Sequence, residues 1–436
     1  MATSVNVIDR VQPRAISLRW IISTRDDLVW LIGSVASSYL LLVLYVKGIL
    51  PLIPMVALWA ILIDAPHVFG TFSRTYFDRT ERHNRGRLLW GSLLFFAVGP
   101  IMVFAGAGLI FFFIAALWAY YHLVKQHYGF MVLYKKKNND LAPVDNALDR
   151  LLLLFAFNYP FVAFIARDPE AMRRVPATLQ SGVNGLATIL LAGTIILAVA
   201  WLGRQIQRLI IGEPLDVPKY LLLAAAIPMH WIVLLTPMPH KPIAIVAILT
   251  IYHNLQYHRL IWFHNKKYTR SSTALTGTAG VSPATADSAD FRDGSSTALT
   301  GTAGVSPAPE YADLRGSSPT PGSPAGQPGW GGTVREGLSL NTTALRTKYG
   351  AAELISRRLL YYVAFGILFG LIYQGPRQIL GYISLQKGDG VAGAQSLATQ
   401  LGISFLWGYA FIHYYLDSKI WRVRRDPAVG KALNMN

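Results

Sequence analysis

Hydrophobic and polar positions fall along this chain in long blocks rather than in short periods. A helix crosses a bilayer with roughly 20 apolar residues at about 1.5 Å of rise each. Ten runs of about that length occur, near 27–46, 50–70, 88–106, 109–131, 148–166, 185–203, 219–236, 242–264, 358–375 and 394–416. The pattern predicts an all-α, polytopic membrane protein of about ten transmembrane helices. Pro228 interrupts the seventh run and predicts a kink, because proline removes an i to i−4 hydrogen bond. Gly106 and Gly108 separate the third and fourth runs and predict a tight helical hairpin.

Polar blocks set the remaining organisation. Residues 1–26 form an N-terminal segment, 27–264 hold helices one to eight, and 265–357 form a long loop. Residues 358–416 hold the last two helices, and 417–436 are a basic tail. Inside the long loop, 271–332 turns to Ser, Thr, Ala, Gly and Pro. A 14-residue stretch at 271–284 returns unchanged at 295–308. Fold repeats drift at exposed positions, so a perfect copy reads as a low-complexity, disordered insertion.

Charge orients the bundle. Lys and Arg favour the cytoplasmic side of a membrane. Placing the N-terminus there puts Arg10, Arg14, Arg19 and Arg25 inside, with Arg74, Arg79, Arg82, Arg85, Arg87, Lys135 to Lys137 and the tail Lys419 to Arg425. The opposite loops hold fewer cations: Lys47, Arg167, Arg173, Arg174, Lys241, Arg377 and Lys387. Both termini are expected in the cytoplasm, and the localisation expected is a bacterial inner membrane.

Composition narrows the chemistry. The chain is 53% hydrophobic and 14% charged, with a mean hydropathy of +0.36, which fits a membrane protein. The net charge of +17 then reads as attraction to anionic lipids, not nucleic acid, since no compact basic domain is present. The 436 residues contain no cysteine, which excludes disulfides, thiolate zinc sites, iron–sulfur clusters and Cys nucleophiles. A metal would have to be bound by imidazole, carboxylate or water, a set that suits iron, zinc, manganese or copper(II).

Ten histidines supply the candidates. His67, the pair His122 and His127, the group His253, His258 and His264, and His413 lie toward the cytoplasmic ends of helices two, four, eight and ten. Ionisable groups at membrane depth are costly and mark function. Asp64 lies three residues before His67 and Asp417 four after His413, so each shares a helical face with its histidine as ligand or orienting partner. His253 and His264 return to nearly one face after eleven residues. The pairs 122/127 and 253/258 are five apart, about 140° of an ideal helix, so both members cannot reach one metal without a distorted turn. His83, among arginines, reads as solvated, and His230 as a helix–helix hydrogen bond. The aromatics near these sites, Trp118, Tyr121, Tyr128, Tyr257 and Tyr414 among them, read first as an interfacial belt.

The H-x4-H boxes at the ends of apolar helices resemble those of the membrane histidine-box enzymes, the fatty-acid desaturases, hydroxylases and alkane monooxygenases. The resemblance implies a non-haem iron centre of one or two ions, with His122 and His127 as a first box and His253 and His258 as a later one. His67 and His413 would be supplementary ligands. The adjacent His-His pair usual in that family is missing here, and ten spans exceed its usual four to six. A weaker resemblance is to bacterial carotene-cleaving membrane oxygenases.

The function expected is O2-dependent oxidation of a lipid-soluble substrate at a histidine-rich iron site, with zinc as the less favoured metal. Tyr121, Tyr128 and Tyr414 are candidate proton or electron donors, and an electron-transfer protein is the partner implied. Two other classes stand beside it. A transporter or proton or metal-ion carrier would use the histidines as relay or cargo ligands. A metal-independent lipid-modifying transferase would use one histidine as base, with Arg74, Arg79 and Arg259 on a phosphate head group.

Overall fold

A computed structural model describes residues 16–277, 348–386, 396–421, 427–433 and 435. Apart from helical residues 271–277, the repeat segment 271–332 lies outside them, as do the tail cations Arg422, Arg424 and Arg425.

Ten long helices occupy the ten apolar runs: α1 (Thr24–Val46), α2 (Leu52–Thr75), α3 (Arg79–Phe104), α4 (Gly108–Lys137), α5 (Pro143–Arg167), α6 (Ala177–Ile210), α7 (Val217–Leu235), α8 (Lys241–Gly277), α9 (Leu359–Gln386) and α10 (Leu397–Ile420). Eight of them are long and apolar enough to cross a membrane; α8 and α10, richer in His, Tyr and charge, run among the eight. The protein is an all-α, multi-pass membrane protein. A two-residue parallel bridge, Ile16–Ser17 on Leu215–Asp216, ties the N-terminal segment to the start of α7.

Helix α6 shows how the bundle meets lipid. Ile189, Ile196 and Val199 are 65%, 67% and 68% exposed, an apolar face with no protein against it. Inside, α2 lies between α9 and α8, and α10 packs on α3. The α2–α9 approach depends on two glycines one turn apart. A Cβ on Gly366 would stand 2.7 Å from Cβ of Pro66, and one on Gly370 would stand 2.7 Å from the carbonyl oxygen of Ile61. Small residues at such spacing let membrane helices pack backbone to backbone.

Helix α2 is not regular. Residues Ala60–Asp64 form a π turn in which the Ala65 N–H reaches the Ala60 carbonyl. Pro66 follows, with no N–H to offer the preceding turn. Within this turn the Ile63 carbonyl accepts from Nε2 of His258, at 2.9 Å. Single π turns of this kind recur at functional sites.

At the end of the bundle where α4 meets α5, buried charges are paired across four elements. Lys219 bonds Asp140 at 2.6 Å and Asp149 at 3.1 Å, Lys135 also bonds Asp149, and Arg208 bonds Asp140 at 2.9 Å. Every member is 5% exposed or less, so the pairing is what makes the burial tolerable.

Candidate metal centre

One histidine from each of three helices reaches a common point, His67 from α2, His122 from α4 and His413 from α10, and His253 from α8 has its ring beside them. Candidate ligand nitrogens of His67, His122 and His413 all lie within 4.8 Å of one another. The His253 ring is 4.8 Å from that of His67 and 5.1 Å from that of His122, centre to centre. His67, His253 and His413 are buried, and His122 half-buried.

His67 and His413 lie eight and seven residues before the last residues of α2 and α10, toward the ends as expected, whereas α4 and α8 run on well past His122 and His253. They stand 12 to 16 residues from the first residues of α2, α4, α8 and α10, or about 18–24 Å of rise. Helix α4 then continues to Lys137 and α8 to Gly277. The polar residues that seemed to terminate α4 instead pack into protein: Tyr134 and Lys135 are 0% and 1% exposed.

Hydrogen bonds fix which nitrogen of His413 is bare. Nδ1 lies 2.7 Å from Oγ1 of Thr71, and that hydroxyl donates to Oδ1 of Asp417 at 2.6 Å. Oγ1 therefore accepts from Nδ1–H, and Nε2 carries the lone pair. Tyr257 donates to the same Asp417 oxygen at 2.9 Å. Nε2 of His413 has no protein partner, nor have Nε2 of His122 or Nδ1 of His67 and His253. A buried polar atom left unbonded costs about 1–3 kcal/mol, so the three converging histidines, each with such an atom, fit a bound cation, with His253 beside them as a fourth candidate. The donors are nitrogen only, which suits iron, zinc or copper(II) rather than magnesium or calcium. Asp417 acts on His413 through Thr71, the arrangement that orients ligating imidazoles in metalloproteins.

The other expected ligands are placed apart from this group. Asp64 faces the same space but is held by Gln374 Nε2 at 2.8 Å and Asn254 Nδ2 at 3.4 Å. His258 has its ring 6.1 Å from that of His67, with Nε2 given to Ile63. His127 turns to His230, 5.4 Å away, each giving Nδ1 to a carbonyl of its own helix, Leu123 and Ala226. His230 thus bonds within α7 rather than across helices. His264 lies against Trp421, 5.5 Å from it. It shares a face with His253 but sits three turns further along α8, a distance that facial periodicity does not encode.

The tyrosines divide likewise. Tyr414 stacks on His122 at 4.5 Å, whereas Tyr121 is 54% exposed and turned away. Tyr128 lies under the Lys125 ammonium at 5.2 Å. Trp118 stacks on Phe411, and Tyr257 stands 4.4 Å from the His67 ring, so neither is a belt residue. Arg259 pairs with Asp26 at 2.7 Å, and Arg74 is buried with its guanidinium 3.9 Å over Trp421. Thr71, Asn254, Gln374, Tyr257 and His230 had not been singled out as site residues. Thr71 had a signal, lying one turn after His67.

A cavity of about 480 Å³ opens onto the four histidines. Leu52, Leu109, Pro242 and Ile243 line it at the far end, near the first residues of α2, α4 and α8. Its lining is mainly apolar, with Leu, Ile, Val, Phe and Ala beside polar positions such as Asp64, Asn254, Gln374 and Arg377.

Family models, curated proteins and solved structures give no match to this chain. The reading of the site therefore rests on its own geometry and chemistry.

Proposed function

We propose that this protein is a membrane metalloenzyme that holds iron on His67, His122, His253 and His413 and oxidises a lipid-soluble substrate with O2. The observation that carries the reading is the convergence of His67, His122 and His413, with the His253 ring beside them, on the wall of a largely apolar cavity. Iron on such a set would supply O2 activation, with positions left open toward the cavity.

The chain's own residues do the rest. Thr71 and Asp417 hold the His413 ring so that Nε2 faces inward. Tyr414, stacked on His122, is placed to give or take a proton at its hydroxyl, and the apolar wall excludes water and holds a C–H or C=C bond near the imidazoles. Net oxidation of substrate by O2 to oxygenated or desaturated product and water needs two electrons. A one-electron carrier protein, docked by charge on a basic face, is the expected donor.

The deciding experiment is metal content by mass spectrometry on detergent-purified protein. The wild type is compared with a His122→Ala/His253→Ala double variant and with His264→Ala. Iron in wild type and His264→Ala, lost from the double variant, supports the reading. Stoichiometric zinc redirects it to hydrolytic or structural chemistry, and no metal in folded wild type sinks it.

A further inference from the structure

Arg377 is an arginine on a membrane-spanning helix that lines the same cavity. Its guanidinium lies 4.4 Å over the ring of Trp407 and gives one hydrogen bond, at 3.3 Å, to the Tyr373 hydroxyl. Among the described residues no carboxylate forms an ion pair with it. Asp64, on the same cavity, attracts the guanidinium electrostatically but takes its hydrogen bonds from Asn254 and Gln374, not from Arg377. Arg174, the other arginine of the cavity, is paired with Glu170 at 2.8 Å. Arg377, expected in a loop, instead stands on the cavity wall, and an arginine facing the interior of a helix bundle in this way marks a ligand path.

We propose that Arg377 is a specificity-determining residue that binds the carboxylate of an amphipathic substrate, whose alkyl portion fills the cavity. Binding is argued from Arg377 alone; only the statement that this ligand is oxidised rests on the metal reading above. The planar fork of a guanidinium matches a carboxylate in two parallel hydrogen bonds, and Trp407 holds the fork's plane from one face. Toward Leu52, Phe112, Phe113, Phe161 and Leu249 the cavity offers apolar wall, which an alkyl chain fills. Its volume lies within the range of about 300–1,000 Å³ usual for small-molecule sites.

The geometry also sets where on the ligand the histidines act. Trp407 precedes His413 by six residues on α10, about 9 Å of helix rise. A carboxylate on Arg377 therefore stands about 9 Å along the bundle from the imidazoles, and the carbon nearest them lies several bonds from the acid group. An alcohol or ester of equal length lacks the anion that Arg377 needs.

The test is equilibrium binding of radiolabelled tetradecanoate to the full chain in nanodiscs of neutral phosphatidylcholine, with methyl tetradecanoate as its uncharged partner. The carboxylate is expected to bind about tenfold or more tighter than the ester, since hydrogen bonds to charged groups are about twice as strong as neutral ones. Arg377→Gln is expected to abolish that preference with metal content unchanged, and Arg377→Lys to keep part of it. Equal binding of acid and ester to wild type, or a preference that survives in Arg377→Gln, overturns the proposal. Phosphatidylglycerol that displaces tetradecanoate as well as unlabelled tetradecanoate does would instead assign Arg377 to a lipid phosphate, and overturns it too. The acid–ester comparison on wild type needs no variant, so misfolding of Arg377→Gln leaves the test intact. A wild type that selects the acid but holds no metal keeps this inference and discards the oxidation reading. The reverse result, iron without acid selectivity, discards only this inference.

Discussion

The Thr71 hydroxyl joins His413 to Asp417: it accepts from Nδ1 of the imidazole at 2.7 Å and donates to the carboxylate at 2.6 Å. The three residues come from two helices, so the bond sets both the tautomer of His413 and the spacing of α2 and α10. Thr71→Val keeps the shape of the side chain and removes the relay. Loss of such an orienting partner typically lowers metal affinity 10–100-fold. Thr71→Val is expected to fall in about that range by chelator competition, with helical content unchanged, and Thr71→Ser to recover most of it. Unchanged affinity in Thr71→Val would show that His413 is oriented by packing alone.

The α2–α9 contact is expected to be the least tolerant of size. Gly370→Leu would drive a side chain into the Ile61 carbonyl at the π turn, and Gly366→Leu into Pro66. Overpacking of this kind costs about 1–3 kcal/mol or more. Either variant should lower the thermal midpoint in detergent by several degrees, more than Gly375→Leu, where a Cβ meets no atom within 4 Å.

Blocks of apolar sequence made the fold legible. The expected runs and the observed helices agree in number and in order, since a bilayer demands length and hydrophobicity and little else. How far α4 runs past His122 was not legible, because the polar Tyr134 and Lys135 look like a helix end and are in fact buried within protein. The separation of His122 from His127 was legible in the five-residue spacing. What that spacing cannot say is which member turns to the centre. The partners Thr71, Asn254 and Gln374 depend on contacts between distant helices, and Asp417 could be placed beside His413 but not behind Thr71.

His258 separates a ligand from a support. Its Nε2 donates to the Ile63 carbonyl in the π turn. His258→Phe removes that hydrogen bond, at a cost of about 1 kcal/mol. The variant is expected to unfold at lower temperature yet retain full metal stoichiometry, whereas His122→Ala should lose metal. Metal content by mass spectrometry beside a thermal melt checks both, and metal loss in His258→Phe would make this residue a ligand.

Asp216, at the start of α7, gives the fold a pH dependence. Burial raises its carboxyl from 3.8 to about 7, and Asp140 and Asp149 add to the rise; the Lys219 N–H and ammonium oppose it. Oδ1 caps α7 by accepting from Lys219 N at 3.2 Å, while Oδ2 has no partner. The native state thus favours the protonated acid. That preference contributes stability in full below about pH 4, the unfolded value, and loses it as pH rises through about 7. A shift of that size corresponds to about 4 kcal/mol, taking 1.36 kcal/mol per unit. Asp140, next in the network, is itself buried, but Lys219, Lys135 and Arg208 more than offset this and lower its carboxyl, so its contribution changes only in more acid solution. Thermal unfolding in detergent should therefore show a midpoint that falls between pH 5 and pH 8. Asp216→Asn, which keeps an oxygen for the cap and cannot ionise, should flatten that fall. An equal slope in wild type and Asp216→Asn would assign the pH dependence to another group.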